Sequence, residues 1–549
     1  MNYKPHRRKF LGVLATALGW LVLPARGQTS PALNGGGGGS RGGGGGGGRR
    51  RPEDYVLPES LKAFRDLSVI LGRITTTSVT ASAISAAATE GYYEYGTVAG
   101  NYSRKTKVIP LPAGEPVETV FDSLKPNTEY FYRLRHRKPG DEDFTARPEC
   151  RFHTQRSTGS TFTFAIQGDS HPERPQMSDP ELYARTLSQA ATGTNDFYIC
   201  MGDDFSVNTI RTVNAETVAQ RYTLQRPFLG LVAQSAPVFL LNGNHEQASL
   251  FNFNQTDIRH DVAVWTQNAR NRFFPTIGPD AFYSGDTHPM KAIGQLKDYY
   301  AWTWGDALFV VLDNYWQSPA LVDTGFQEKG GGGGGGGGGQ GGGGRGGGQG
   351  GGGQGGGRGG GGQGGGGEKG NRDWWELTIG EAQYQWFRQT LEQSKSKFKF
   401  VFAHHVMGSG RGGVDEADLY EWGGRNKRGD WEFAQKRPGW EMPIHQLMVK
   451  HGVTIFFQGH DHLYCQQELD GIAYQEVPMP GDQGYMTYNQ ERYQSGTKLP
   501  NSGHLSVTVS PEQVKVEYVR TFLPKDESEK HKSGEVAHSY TVAAKGAHA

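Results

Sequence analysis

Six short apolar runs, each stopping abruptly at a polar cluster, constrain the fold of this chain more than any other feature of its sequence. Residues 161–166 alternate with a period of two and stop at "GDSH", which carries Asp169 and His171. Residues 197–201 stop at "GDD" with Asp203 and Asp204, and residues 237–241 stop at "NGNHE" with Asn244, His245 and Glu246. Further on, 307–312 stops at Asp313, 398–402 at "AHH" with His404 and His405, and 453–457 at "GHDH" with His460, Asp461 and His462. Short apolar runs bounded in this way read as buried strands. Helical patterns stand between them, over 179–191, opened by Asp179-Pro180, and over 380–394, where Trp386, Phe387 and Leu391 share a face. Strands alternating with helices predict an α/β layer arrangement, and such sheets place their sites at the C-terminal ends of the strands. Residues 504–542 return to alternation (Leu505, Val507, Val509, then Val514, Val516, Tyr518) and read as closing strands of a second sheet in the same domain.

The preceding hundred or so residues have a different rhythm. Segments 78–83 and 130–135 alternate, separated by turn clusters such as Lys125-Pro126-Asn127 and Pro139-Gly140-Asp141. They predict a small all-β sandwich over 55–157, with nothing catalytic in it and a role in packing against, or framing the cleft of, the domain that follows. A chain of 549 residues has room for two or more such units.

Glycine is the compositional anomaly. There are 83 glycines, about twice the usual share of roughly 7%, concentrated in a Gly/Arg-rich stretch within 28–54 and a Gly-rich insertion over 327–371. Neither buries enough apolar surface to offset the entropy of ordering its backbone, so both are expected to be disordered, the second as a loop expansion. Arg41 and Arg49-Arg50-Arg51 make the first resemble Arg/Gly segments of RNA-binding proteins, but no nucleic-acid module accompanies it and a solvated linker is the expected role. With 57 basic and 56 acidic residues, no global charge draws the chain to nucleic acid or to a membrane surface.

Residues 1–27 read as a targeting segment: basic residues from Lys4 to Lys9, an apolar stretch over 10–23, and small residues at Ala25 and Gly27 before a cut at Gln28. Arg7, Arg8, Phe10 and Leu11 resemble a twin-arginine export signal, with His6 where Ser or Thr is usual. The apolar stretch is short of the roughly 20 residues of a spanning helix, so an exported protein, periplasmic or extracellular, with no membrane span after cleavage is expected. Three cysteines, Cys150, Cys200 and Cys465, neither frame a disulfide scaffold nor form a zinc motif; a bridge between Cys150 and Cys465 is allowed by export but supported by nothing else.

The strand-end residues carry the chemistry. Carboxylate, amide and imidazole groups in this mixture, without thiolate, suit borderline transition metals such as zinc, iron, manganese or cobalt. Seven candidate ligands from these strand ends overfill one site that must also leave a position for water, whereas two ions sharing a carboxylate accommodate them.

In that order and context the set resembles the calcineurin-like metallophosphoesterase superfamily from Thr161 to the C-terminus, and "KDYYAWTWGDALFVVLD" (297–313) is similar to the family's segment ahead of its histidine pair. "LKPNTEYFYRLR" (124–135) resembles the late-strand signature of fibronectin type III domains and the N-terminal domain of purple acid phosphatases. The resemblance implies a multidomain chain: a fibronectin type III-like sandwich, then, over 158–549, an α/β metallophosphoesterase β-sandwich flanked by helices. It further implies a first metal held by Asp169, His171, Asp203 and His462, and a second by Asp203, Asn244, His404 and His460. Asp203 would be the bridge. Two departures stand out: His171 replaces the Gly of purple acid phosphatases, and Ser206 replaces their Tyr ligand, so no purple chromophore is expected and iron, zinc and manganese all remain open.

The implied activity is acid phosphatase-like hydrolysis of small phosphate monoesters by a metal-bridging hydroxide, with His245 contacting the phosphate or protonating the leaving oxygen. His405 and Arg411 are candidates to line the substrate cleft; Glu246, Asp461, Asp204 and Asp313 are expected to support the site rather than ligate. A phosphodiesterase or phospholipid-cleaving enzyme would share the same core. A non-catalytic adhesion or scaffold protein is opposed by a competent ligand at every carried-over position.

Overall fold

A computed structural model of the chain describes residues 57–210, 212–246, 259–318, 373–406 and 411–544. The expected targeting segment (1–27), Gly/Arg-rich linker (28–54) and Gly-rich insertion (327–371) lie outside the described residues.

Two β-sandwiches follow one another. In the first, strands Leu67–Gly72, Val79–Ser85 and Pro116–Phe121 form one antiparallel sheet. The other is built around Thr89–Gly96 and Glu129–Arg137, with shorter strands on their edges. Alternation decides which side chains face inward: Tyr130, Tyr132 and Leu134 are buried while Glu129, Phe131 and Arg133 are partly exposed. Tyr95 stacks on Phe121 with ring centroids 4.8 Å apart, and Tyr130 on Phe152 at 5.5 Å. The Tyr130 hydroxyl accepts from the Lys125 backbone N at 2.8 Å, pinning the turn that enters its own strand.

The second sandwich faces a six-stranded sheet against an eight-stranded one. The six-stranded sheet runs, in spatial order, Val238–Leu240, Asn195–Cys200, Phe162–Gln167, Gly503–Val509, Gln513–Arg520 and Val536–Ala543. Its first three strands are parallel and its last three antiparallel; the alternation over 504–542 does mark strands, but they do not close a second sheet, because Gly503–Val509 pairs directly with Phe162–Gln167 and so extends the first. In the eight-stranded sheet, Ala307–Val311, Phe398–Phe402, Ile455–Gln458 and Ile472–Glu476 are parallel neighbours. Between the sheets lies an aromatic core in which Phe239 stacks on Trp302 at 4.0 Å and Phe164 meets Phe309 edge-on at 5.2 Å. Helices Pro180–Ala191, Ala215–Ala233 and Arg259–Phe273 cover one outer face; Glu381–Gln393 and Ile444–Lys450 cover the other. Asp179 caps the first of these helices by accepting from the N–H groups of Glu181 and Leu182.

The layer order is thus helix, sheet, sheet, helix, in a mostly β molecule with the helices outside. Both sandwiches contribute to one continuous buried apolar cluster running from Leu67 to Ala544. Where they meet, the buried Arg226 of helix Ala215–Ala233 donates to Ser82 O (2.8 Å), Ser82 Oγ (3.2 Å), Ser68 Oγ (3.3 Å) and Phe273 O (2.6 Å). The Tyr132 hydroxyl donates to Gln234 O at 2.6 Å across the same seam. All three cysteines are free thiols, so the Cys150 to Cys465 bridge that export would allow is not formed: Cys465 is buried beside Ser495 and Cys150 lies on the first sandwich. No helix among the described residues is long and apolar enough to cross a membrane.

Candidate metal centre

Parallel strands end together, and that is why the polar clusters meet. Phe162–Gln167, Asn195–Cys200 and Val238–Leu240 from one sheet, and Phe398–Phe402 and Ile455–Gln458 from the other, deliver the loops after their C-terminal ends to one edge of the sandwich. There the ligand atoms form three overlapping groups: Asp169, His171 and His462; Asp203, His404 and His460; and His171, Asp203 and His245. In each group the ligand atoms lie within 4.8 Å of one another.

Asp203 is the hub. Its Oδ2 lies 3.3 Å from His404 Nε2, 3.7 Å from His171 Nε2 and 3.8 Å from His245 Nε2, while Oδ1 accepts from the His245 backbone N at 2.8 Å. Asp169 Oδ1 accepts from the His460 backbone N at 2.9 Å, and its Oδ2 stands 2.9 Å from His462 Nε2. Asn244 Oδ1 is 3.2 Å from His404 Nε2. All seven proposed ligands and His245 therefore share one pocket.

The backbone is bent to achieve this. His171, Asp203, His460 and His462 adopt left-handed φ values of 39°, 53°, 78° and 60°. Such conformations cost a non-glycine residue on the order of 1–3 kcal/mol each and persist where surrounding contacts over-determine them. Glu246 supplies part of that determination: its carboxylate accepts from the N–H groups of Asp203 (2.9 Å), Asp204 (2.6 Å) and Gly243 (2.9 Å), locking two strand-end loops together. Gly459 supplies another part, because a Cβ there would stand 2.7 Å from Asp169 Oδ1. Asp461 accepts from Tyr493 Oη (2.6 Å), Gly412 N (3.0 Å) and Arg411 Nη1 (2.8 Å), fixing the "GHDH" turn.

Electrostatics favour a cation here. Burial works against the charge of Asp203, but His404, His245 and His171 hold its carboxyl well below the usual range. Burial likewise disfavours a charged His404, yet the Asp203 and Asp169 carboxylates push its pKa up to about 10. His171 and His460 are held well below the usual imidazole value, by burial first and then by the guanidiniums of Arg174 and Arg411 respectively. They are therefore neutral rings at neutral pH, the form that binds metals.

The donor set fits an ion on a second ground. Among the described residues the buried Nε2 atoms of His171 and His460 have no hydrogen-bond partner, an arrangement costly unless a ligand completes it. The opposite edge of the His171 ring is held by Ser206, whose Oγ lies 3.0 Å from Nδ1, and the His404 ring is oriented in the same way: its Nδ1 donates to Met201 O at 2.8 Å, turning Nε2 towards Asp203. Ser206, which the sequence marks only as a departure from a tyrosine ligand, thus positions a histidine. Arg174, missed from sequence, donates through Nη2 to His245 Nδ1 at 3.2 Å; its one signal is the polar stretch "SHPER" (170–174) that carries His171. Of the two cleft candidates, His405 is buried beside His460, with ring centroids 4.9 Å apart. Arg411 instead turns onto the loop, donating to His460 O at 2.7 Å as well as to Asp461.

No family model and no curated protein matches the chain. Among solved structures it is similar to PhoD, at 14% identity over 88% of this chain and 90% of that one, with a TM-score of 0.57. It also aligns with GAP50, the anchor in the inner membrane complex of Plasmodium, at 12% identity over 70% of this chain and 89% of that one, TM-score 0.35. A putative 5'-nucleotidase from Staphylococcus aureus aligns at 14% identity over 67% and 55%, TM-score 0.31. The last two scores are too low to bear on the fold. What the chain shares with PhoD is its architecture.

Proposed function

We propose that this chain is an exported, metal-dependent phosphoesterase that hydrolyses small phosphate monoesters. The observation that carries the reading is Asp203, whose single oxygen Oδ2 is shared among the imidazoles of His404, His171 and His245 where two ligand groups overlap. Asp169, His171, Asp203 and His462 would hold one transition-metal ion; Asp203, Asn244, His404 and His460 would hold the other. When bound, two such ions acidify water and offset the negative charge that develops on phosphoryl oxygens. Iron, zinc and manganese all suit this donor set.

The chain's own residues orient the reaction. A guanidinium can only donate, so Arg174 makes His245 Nδ1 an acceptor and leaves the proton of the neutral ring on Nε2. Burial lowers the His245 pKa to about 3. His245 is then a hydrogen-bond donor to a phosphoryl or leaving oxygen, and of its two expected roles this one, rather than proton transfer, suits a ring that stays neutral. Arg411 serves as a brace for the "GHDH" turn rather than as a wall of the cleft.

Around this centre, the Tyr130 to Lys125 turn supports a fibronectin type III-like reading of the first sandwich, which packs on the catalytic unit through Arg226. The purple acid phosphatase-like arrangement rests on that order of domains. Export rests on the sequence "RRKFLG".

The test is hydrolysis of a chromogenic phosphomonoester and a matched diester by purified protein, before and after exhaustive chelation, with metals restored singly. Activity that chelation abolishes and one or more metals restore, with the monoester preferred, is expected. Activity indifferent to chelation refutes the metal mechanism, and a preference for the diester moves the assignment to phosphodiesterase.

A further inference from the structure

Beside the His404–His460 side of the centre lies a half-buried tyrosine that the chemistry above does not use. Tyr315 follows the strand Ala307–Val311, which runs parallel to Phe398–Phe402 towards the same edge. Its position is fixed from several directions. Asp313 Oδ1 accepts from the backbone N of Tyr315 (2.8 Å) and of Trp316 (2.9 Å), and Asp313 Oδ2 accepts from Asn242 Nδ2 (2.8 Å). Gln383 holds the Asp313 backbone through both its N–H (2.8 Å) and its carbonyl (2.9 Å), and Asn314 Nδ2 donates to His405 O at 2.7 Å.

So held, the Tyr315 ring stands edge-on to His405, with centroids 5.8 Å apart, and 6.3 Å from His404. Its hydroxyl is out of solvent with no hydrogen-bond partner among the described residues, and the same is true of His405 Nε2. His405 Nδ1 faces Val406 O at 3.0 Å and must donate to it, which makes Nε2 of the neutral ring an acceptor. A phenol, with an ordinary pKa of about 10, carries its proton at neutral pH and is hence a donor. Two neighbouring rings at the edge of the centre therefore carry one unpaired donor and one unpaired acceptor. A fold rarely retains such a pair unless a ligand completes it.

We infer that Tyr315 is a substrate-contacting residue: with His405 Nε2 it forms a subsite in which Tyr315 Oη donates to a phosphoryl oxygen and His405 accepts from a protonated one. This rests on the phosphoesterase reading and deepens it, because a singly protonated monoester presents both kinds of oxygen and a diester has no P–OH to give.

The test is calorimetric binding of inorganic phosphate to wild type and Tyr315→Phe, each reconstituted with Mn(II) or Zn(II), alongside metal content, unfolding midpoint and kcat/KM for the monoester and diester. Phe keeps the ring that packs on His405 and removes only the hydroxyl. A phosphate Kd raised about ten- to a hundredfold is expected, as for a lost hydrogen bond to a charged group. A matching fall in monoester kcat/KM, a smaller change for the diester, and unaltered metal content and midpoint should accompany it. Unchanged phosphate affinity, with the wild type active, overturns the subsite alone. Loss of metal from the variant overturns it too, by making Tyr315 a ligand. A wild type that neither binds phosphate nor cleaves any ester overturns both the subsite and the reading beneath it.

Discussion

Asp203 Oδ2 stands 3.3 Å from His404 Nε2, although the two residues are 201 positions apart and come from different sheets of one sandwich. That contact joins the two sheet edges into one centre, and the proposed chemistry turns on it. Asp203→Asn keeps an oxygen to accept from the His245 N–H but removes the shared negative charge. Activity should fall by at least about a hundredfold, the scale of losing one electrostatic contact to a developing charge. Bound metal should fall with it while the fold persists, as read by elemental analysis and circular dichroism.

Glu246 tests the scaffold behind the ligands. Glu246→Ala strips the acceptor from three buried N–H groups at once, those of Asp203, Asp204 and Gly243. Each unsatisfied group costs about 1–3 kcal/mol, so the urea midpoint should drop by an amount equivalent to at least about 3 kcal/mol. An unchanged midpoint would show that the two loops are held by something else.

Arg226 separates stability from activity. Arg226→Met leaves Ser82 O and Phe273 O without their donor at the seam between the sandwiches. Unfolding free energy should fall by about 2–4 kcal/mol, while kcat of the folded protein should change less than about twofold. A large loss of kcat at full folding would assign the first sandwich a direct part in catalysis.

Glu421 gives a pH signature far from the metal centre. Burial raises its pKa from 4.5 to about 7, against the attraction of Arg437, while its carboxylate accepts from Arg437 Nε and from the Ile379 N–H at 3.1 Å. The folded state thus binds this proton more tightly than the unfolded chain. Its contribution is fully present below about pH 4.5 and is lost as pH rises through 7, a span on the order of 3 kcal/mol. Glu421→Gln should flatten the stability profile between about pH 5 and 7.5 relative to wild type. A profile of unchanged slope would rule out Glu421 as its source.

Much of the fold, and the strand ends that carry the candidate ligands, is legible in the sequence, and the reason is periodicity. The runs ending at Asp169, Asp203, Asn244, His404 and His460 are each short, apolar and bounded, and parallel pairing then obliges their ends to meet. Helix Glu381–Gln393 and the capped helix from Pro180 to Ala191 fall within a residue or two of the patterns that predict them. What the sequence hid was orientation. Nothing in "GRGG" tells that Arg411 folds back onto Asp461, because that depends on a turn built from a distant loop. Arg174 and Ser206 gain their meaning only from facing His245 and His171, and Tyr315 only from an empty hydrogen-bonding direction beside His405. Side-chain partners at long sequence separation leave no local pattern.

Anomalous diffraction from crystals grown with Mn(II) or Zn(II) bears most directly on the central claim. Two peaks are predicted on either side of Asp203, one among Asp169, His171 and His462 and the other among Asn244, His404 and His460. Peaks elsewhere, or none at this edge under saturating metal, would contradict a shared-carboxylate pair and the hydrolytic chemistry built on it.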